Sequence, residues 1–242
     1  FSSLPMYQET ELKQISRHFQ IYGEIQHAEP LKIGHINETY TATYDQGGTR
    51  VRYIHQKLNR AVFKNPAGVM KNIMRVSSHL RKKLEAAGAR DVTRRALIVI
   101  PTRDGHAYHT NGDGAVWRTF VYVEGVTTHE AVQTAAQAFQ AGRAFGQFQE
   151  QLVDLPGGRL VETIPNFHHT RKRFETFQRA VTEDRFNRAA GVRREIDFAL
   201  QRAGITGVIV DAMAKGQIPE RITHNDTKFN NVIDRKSTRL NS

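Results

Sequence analysis

Residues 222–234 read Ile-Thr-His-Asn-Asp-Thr-Lys-Phe-Asn-Asn-Val-Ile-Asp, and this stretch is the most informative part of the chain. It places the carboxylate of Asp226, the ammonium of Lys228 and the carboxamide of Asn231 at offsets 0, +2 and +5 between apolar flanks. Phosphoryl transfer requires a group that takes or orients a hydroxyl proton, a positive charge on the moving phosphoryl and an oxygen ligand for Mg²⁺. The stretch therefore predicts a catalytic loop, with a polar surface turn between buried strands as the alternative.

The same loop resembles a known family. Its spacing, His-x-Asp-x-Lys-x-x-Asn, is that of the catalytic loop of many protein kinases. The segment is similar to the catalytic loop of the aminoglycoside phosphotransferase and choline kinase superfamily, in particular to its N-acetylhexosamine 1-kinase branch. The resemblance covers residues 20–233. It implies an α+β, protein-kinase-like fold with two lobes, and ATP and Mg²⁺ as cofactors.

Composition is that of an ordinary soluble globular protein, with 39% hydrophobic and 24% charged residues in 242. The longest apolar run, Ala96 to Ile100, is far too short to cross a bilayer. The absence of cysteine excludes disulfides and cysteine-based zinc sites. We therefore expect a cytoplasmic protein without a membrane partner. Because the chain begins at Phe1 rather than at Met, the absence of a targeting segment from it carries no conclusion.

The net charge of +11 first suggests a nucleic-acid partner. The basic residues, however, form short clusters in separate elements and do not alternate with aromatic residues, as a single-strand binding surface requires. Anionic small molecules such as ATP and sugar phosphates suit the same charge. We expect a small-molecule acceptor, a sugar or an amino alcohol, and no nucleic acid; the sequence does not predict the oligomeric state.

Periodicity predicts the elements of an N-terminal nucleotide-binding lobe over residues 1–124. A short amphipathic helix is followed by three strands within residues 25–58, and by a helix that begins at Asn65-Pro66 and ends at Gly88. Residues 96–101 and 115–123 are predicted as further strands, and 105–110 as a short one between them. The expected lobe is an antiparallel sheet of about five strands with one long helix.

A mainly helical, truncated C-terminal lobe is predicted over residues 125–233, with one helix from Gly125 towards Pro156 and three more after residue 170. Its Phe residues are predicted to be core rather than a cofactor site. The tail, residues 234–242, resembles the translation of a sequencing adapter. We expect an artefact there and a chain that is a fragment of a longer protein; a natural basic tail is the alternative.

The resemblance implies nucleotide-binding residues in the first lobe. Residues 34–39 lie where family members place the loop over the ATP phosphates, which backbone N–H groups can bind. Lys57 is the candidate that pairs with the α- and β-phosphates, although Gln56, one register step away, faces the opposite side of the strand. The expected cofactor-binding residues are Gly34, His35, Ile36, Asn37, Thr39, Lys57, Tyr122 and Val123.

Two features depart from the family pattern. Kinase-like folds pair the strand lysine with a glutamate on the next helix, but no acidic residue occurs between Asp45 and Glu85, and Lys71 stands where that glutamate is expected. Either the acidic partner of the strand lysine comes from another element, or the nucleotide site is weaker than in related proteins. Family members also carry a second Mg²⁺-binding aspartate further on, in a region that this chain does not contain. We expect the fragment itself to be impaired.

The segment from Leu160 to Arg171 is similar to the sugar-kinase branch, where it lies near the acceptor. His168 and Arg171 are the candidates for binding acceptor hydroxyls, and the alternative is that His168-His169 caps the next helix.

The resemblance implies a kinase that phosphorylates a small-molecule hydroxyl, most specifically the anomeric hydroxyl of an N-acetylhexosamine. Asp226 would accept or orient the hydroxyl proton, Lys228 neutralise the transferring phosphoryl and Asn231 bind Mg²⁺. The alternatives are a kinase of an aminoglycoside, a choline-like amino alcohol or an amino acid, and an inactive protein that only binds nucleotide.

Overall fold

An antiparallel sheet dominates the first half of the chain. The computed structural model describes residues 7–31 and 36–235. Its main sheet has six strands in the order β1-β2-β3-β6-β4, with β5 paired to β6, and every pair is antiparallel. The strands are β1 (Ile25–Pro30), β2 (Glu38–Gln46), β3 (Thr49–Lys57), β4 (Val99–Ile100), β5 (His109–Thr110) and β6 (Val116–Val121). The predicted antiparallel sheet is confirmed, although β4 is shorter than the sequence suggested.

Local signals set the boundaries of these elements. The β2–β3 hairpin turns at Gly47 and Gly48, whose φ angles of 64° and 86° favour glycine. The helix α2 (Pro66–Ala86) begins where predicted, because the side chain of Asn65 accepts a hydrogen bond from the backbone N–H of Gly68. Proline at its first position has no N–H to leave unpaired.

The helices α1 (Tyr7–Ser16) and α2 pack on opposite faces of the sheet, because α1 shares a core with Trp117 whereas Met70 of α2 contacts Arg118, the next residue of β6. On the α1 face, apolar and aromatic side chains of α1, the following loop and the strands form the main core: Leu12, Ile15, Phe19, Ile21, Ile25, Tyr40, Ala42, Tyr44, Tyr53 and Trp117. Because side chains alternate along a strand, Tyr53, His55 and Lys57 of β3 point to the α1 face. Gln56, between the last two, points to the α2 face.

His55 is a fully buried core histidine whose ring nitrogens hydrogen-bond the hydroxyl groups of Tyr44 (2.8 Å) and Thr119 (2.9 Å). Burial lowers its pKa to about 4, against the ordinary 6.5. Between those values the unfolded chain binds a proton that the folded chain does not, so this contribution to stability is fully present above pH 6.5 and is lost as the pH falls towards 4. We expect a loss of about 3 kcal/mol.

Urea unfolding at pH 7 and pH 4.5 measures this effect. The difference in unfolding free energy between the two pH values should be smaller by about 2 to 3 kcal/mol in His55→Gln than in the wild type. His27→Gln, at an exposed histidine on β1, is the matched control and should keep the wild-type difference. An equal pH dependence in His55→Gln and wild type would show that other groups cause it.

After β6 the structure differs from the prediction of continuous helix. Val126–Thr127 forms a strand, β7, which pairs with β8 (Asp234–Arg235), and the helix α4 (Ala135–Gln151) begins only at residue 135. Thr134 and Gln137 form a capping box that sets this start. No residue of α4 is buried, and Phe139 is 67% exposed. The expectation that Phe139 belongs to the core was therefore wrong.

The chain divides into two compact units: the described parts of 1–163 and 226–242, and residues 164–225. The predicted lobe boundary at residue 124 lies inside the first unit, and the lobe assignment stays a prediction. The first unit also holds the short helix α3 (Val92–Arg95). The second unit consists of α5 (Thr170–Glu183), α6 (Arg193–Leu200), α7 (Val208–Ala214) and 3₁₀ turns. Over residues 7–31 and 36–235, no helix combines the length and hydropathy needed to cross a membrane.

Candidate active site

The loop over residues 226–231 folds back on itself. A 3₁₀ turn over Phe229–Asn231, closed by a bond from the Asn231 N–H to the Lys228 carbonyl (3.1 Å), returns the chain towards Asp226. The Asn231 side-chain amide donates to the Asp226 carbonyl oxygen (2.7 Å) and to its carboxylate Oδ2 (3.0 Å). Lys228 Nζ lies 3.3 Å from the same Oδ2. A carboxylate, an ammonium and a carboxamide thus meet at one point.

These three side chains are open to solvent. The side chains of Asp226 and Lys228 are 60% and 49% exposed. An ion pair in that environment contributes at most about 1 kcal/mol to stability, because water screens it and two side chains lose freedom. The arrangement is therefore poorly explained as a structural brace, and it leaves the charged groups accessible to a ligand.

The donor types of the loop fit a magnesium ion. The Nδ2 group of Asn231 bonds to Asp226, which leaves its Oδ1 as the atom that can bind a cation. Within the part of the chain that the structure describes, no cluster of three or more His, Cys, Asp or Glu could hold a metal alone. Mg²⁺ is usually bound through one or two carboxylates, and substrate phosphates and water complete its shell. Asn231 can supply one protein oxygen to such a site, beside the carboxylate of Asp226.

The residues expected to contact the acceptor lie in the second unit. His168 Nε2 donates to the carbonyl oxygen of Asn225 (2.8 Å), the residue that precedes Asp226 in the chain. Arg171 donates from Nη2 to Asp211 Oδ2 (2.7 Å). The ring of His169 accepts a bond from the Lys172 N–H (3.4 Å), so the helix-cap alternative holds for His169 and not for His168.

Of the expected phosphate loop, Gly34 and His35 lie outside the described residues. Ile36 is 50% exposed, and Asn37 Oδ1 accepts a hydrogen bond from the Asn59 N–H (2.9 Å). Thr39, the last residue of the loop, is buried, and its Oγ1 accepts from Gln56 Nε2 (2.8 Å). The end of this loop is thus fixed to the α2 face of β3.

The acidic partner of Lys57 lies on α1 and not, as expected, on α2. Its Nζ lies 3.6 Å from Glu11 Oε1, on α1, and 5.7 Å from the centroid of the Trp117 ring. The acidic partner missing from α2 is therefore supplied by the N-terminal helix, on the other face of the sheet. Residue 11 lies one helical turn before the core residue Ile15, which was the only sequence signal for its orientation.

Tyr122 and Val123, the predicted linker contacts, follow β6 directly and are half-buried. The Tyr122 ring lies 3.9 Å from the guanidinium carbon of Arg52, which in turn binds Glu124 through two hydrogen bonds. The stacked arginine and its ion pair hold the start of the linker segment against β3.

Sequence reasoning missed Arg118, a half-buried arginine in the middle of β6. Its Nε and Nη2 groups donate to Gln56 Oε1 at 2.9 and 2.5 Å, and its Nη1 lies 3.7 Å from the Met70 sulfur on α2. Burial lowers its pKa to about 10. The available signal was a single charged residue within the otherwise uncharged strand Val-Trp-Arg-Thr-Phe-Val.

Comparison with known proteins agrees with this architecture. A profile of the phosphotransferase enzyme family matches residues 27–240. The fold is similar to that of spectinomycin phosphotransferase APH(9)-Ia, solved in complex with ADP and spectinomycin, with a TM-score of 0.55 and 13% sequence identity. The likeness covers 95% of this chain and 66% of that one, so this chain spans slightly under two thirds of its relative's length. The predicted kinase-like α+β fold is confirmed.

Proposed function

The chain belongs to the phosphotransferase enzyme family, and we propose that the protein transfers the γ-phosphoryl group of ATP to a hydroxyl group of a small molecule. The observation that carries the proposal is the meeting of Asp226, Lys228 and Asn231 within 3.3 Å of one carboxylate oxygen. An exposed cluster of this composition matches the needs of phosphoryl transfer, in which positioning and charge stabilisation do most of the catalysis.

In the proposed reaction the acceptor oxygen forms a bond to the γ-phosphorus while the bond between that phosphorus and the β–γ bridging oxygen breaks, and ADP leaves. Asp226 orients the acceptor hydroxyl and takes its proton. Lys228, beside the same carboxylate, places a positive charge next to the transferring phosphoryl. Asn231 fixes the carboxylate through its amide N–H and offers Oδ1 to Mg²⁺. When bound, Mg²⁺ supplies charge neutralisation of the phosphate oxygens.

For the acceptor we propose a sugar, specifically the anomeric hydroxyl of an N-acetylhexosamine. The support is the similarity of residues 224–231 and 160–171 to that branch of the superfamily. His168 and Arg171 are the proposed acceptor-binding residues, and both carry N–H donors suited to hydroxyl oxygens. Arg171 would have to share its guanidinium between Asp211 and the acceptor, since five N–H donors allow both.

A second candidate acceptor is an aminoglycoside or a related amino alcohol. The observation that favours it is the likeness of fold to spectinomycin phosphotransferase, whose structure contains spectinomycin. A third possibility, nucleotide binding without turnover, is favoured because α2 has no acidic residue in its first turn and its one acidic residue, Glu85, lies in its last turn. These alternatives differ in what they predict for ADP release.

ADP release by the full-length protein, in a coupled assay with ATP and Mg²⁺, tests the proposal on a panel of N-acetylglucosamine, N-acetylgalactosamine, spectinomycin and choline. We expect turnover with an N-acetylhexosamine and none with its 1-O-methyl glycoside, which lacks the free anomeric hydroxyl. Phosphorus NMR of the product should show a sugar 1-phosphate.

Turnover with spectinomycin or choline alone would reject the sugar assignment and keep the kinase. Turnover of the methyl glycoside would show that a hydroxyl other than the anomeric one is phosphorylated. ATP binding with no turnover on any acceptor would support the inactive alternative.

A further inference from the structure

We propose that Arg118, held in place by Gln56, is the cation of the first unit that binds the phosphates of the nucleotide, and that Lys57 is not. This inference rests on the proposed function, because it assigns a contact to the nucleotide that the enzyme would use. It differs from the expectation drawn from the sequence, which placed Lys57 in that role.

The two cations, Lys57 and Arg118, lie on opposite faces of the sheet. Lys57 lies on the α1 face, beside Trp117 of the main core and the Glu11 carboxylate. Arg118 lies on the α2 face, where its Nη1 reaches the sulfur of Met70. Gln56 and Arg118 are direct cross-strand partners in the β3–β6 register, so their side chains leave the sheet on the same side.

The end of the expected phosphate loop is on the Arg118 face as well. Thr39 Oγ1 accepts from Gln56 Nε2, and Gln56 Oε1 accepts from two nitrogens of Arg118. One glutamine therefore joins the loop residue to the arginine through continuous hydrogen bonds. Of the two cations, Arg118 is therefore the one on the side of the sheet where Thr39, the described end of this loop, is attached.

The charge of Arg118 is not neutralised by the residues that the structure describes. Its recorded partners are a neutral amide, a thioether and the Phe120 ring at 5.2 Å. Removing a guanidinium from water without an anion is costly, and the lowered pKa of Arg118 reflects that burial. Three of its five N–H groups are used in these hydrogen bonds, which leaves two for an anion. Planar N–H pairs of this kind suit phosphate oxygens.

Lys57, by contrast, already has a partner of opposite charge. The Glu11 carboxylate at 3.6 Å offsets its positive charge, and its ammonium lies over the ring of Trp117, 5.7 Å from the centroid. Moving Lys57 to a phosphate on the other face would break both contacts and require the strand to shift its register by one residue.

Binding of ADP and of adenosine to the chain, each by isothermal titration, tests the inference. Adenosine lacks phosphates, so a residue that touches only phosphate affects ADP alone. We expect Arg118→Met to raise the Kd for ADP about 10- to 100-fold, the effect of losing hydrogen bonds to a charged group, with adenosine binding unchanged. Arg118→Lys should recover part of the loss. Arg50→Met, at an exposed arginine on β3, is the matched control and should leave both affinities unchanged.

A second variant acts without removing the arginine. Gln56→Glu places a carboxylate against Arg118, which should raise the melting temperature of the free protein while weakening ADP binding and sparing adenosine. If Lys57→Met rather than Arg118→Met weakens ADP binding, or if Gln56→Glu leaves the Kd for ADP unchanged, the inference is overturned and the proposed kinase function stands. If the wild type binds neither ligand, the proposed function fails together with it.

Discussion

Replacing Asp226 with asparagine in the full-length protein is expected to lower kcat about 10³-fold, while the Kd for ATP stays within about twofold of the wild-type value. A positioned general base contributes 10² to 10⁴ to rate, and an amide cannot take the hydroxyl proton. Asparagine has the same shape, and its Oδ1 can still accept the bond that Asn231 donates to Oδ2. The ATP contacts proposed for Arg118 and the phosphate loop do not depend on this carboxylate.

The measurement is steady-state kinetics with the preferred acceptor, together with ATP titration of the same preparations. Asp197→Asn is the matched control: this aspartate is half-exposed on α6, forms an ion pair with Arg193, and has no place in the proposed site. Asp197→Asn should retain wild-type kinetics. An undiminished kcat in Asp226→Asn would show that Asp226 does not take the hydroxyl proton. Loss of ATP binding would show that the carboxylate contributes to binding the nucleotide instead.

Fold elements marked by local chemistry could be predicted from the sequence. The Asp45-Gln-Gly-Gly48 hairpin and the Asn65-Pro66 helix start depend on a few adjacent residues, and both are present in the structure. The segment after Gly125 was misjudged because the short β7 strand exists only through pairing with residues over one hundred positions later. Phe139 has helical spacing to other apolar residues, but periodicity does not determine whether anything covers that face.

In the candidate site, too, contacts between residues close in sequence could be predicted, and contacts between distant elements could not. Asp226, Lys228 and Asn231 lie within one turn-forming loop, so their spacing alone predicted that they would meet. The partners of β3 could not be predicted in this way. Lys57 meets Glu11 and Gln56 meets Arg118 only because α1 and α2 cover opposite faces of the sheet. A one-residue change of register exchanges those two partners, and the sequence around β3 contains no signal for which helix lies on which face.

Changing Asn231 to aspartate separates the two roles proposed for this amide, and we expect kcat to fall about 10²-fold. The new carboxylate could bind Mg²⁺ at least as well as an amide oxygen, since Mg²⁺ prefers carboxylates. It would also lie about 3 Å from Asp226 Oδ2, where the amide N–H is a donor in the wild type. Two carboxylates at that separation share a proton, so the pair becomes fully ionised only at higher pH.

As the pH is lowered, the kcat of the Asn231→Asp variant should therefore begin to fall at a higher pH than that of the wild type. Its apparent affinity for Mg²⁺ should be unchanged or greater. Kinetics across pH 5.5 to 9, at several Mg²⁺ concentrations, measure both effects, and Thr227→Asp, at an exposed position of the same loop, is the control for added charge. If high Mg²⁺ restores the kcat of Asn231→Asp to the wild-type value at every pH, Asn231 acts only as a metal ligand. A profile displaced to higher pH at saturating Mg²⁺ would instead identify the hydrogen bond to Asp226 as the contact that keeps the base ionised and aimed at the acceptor.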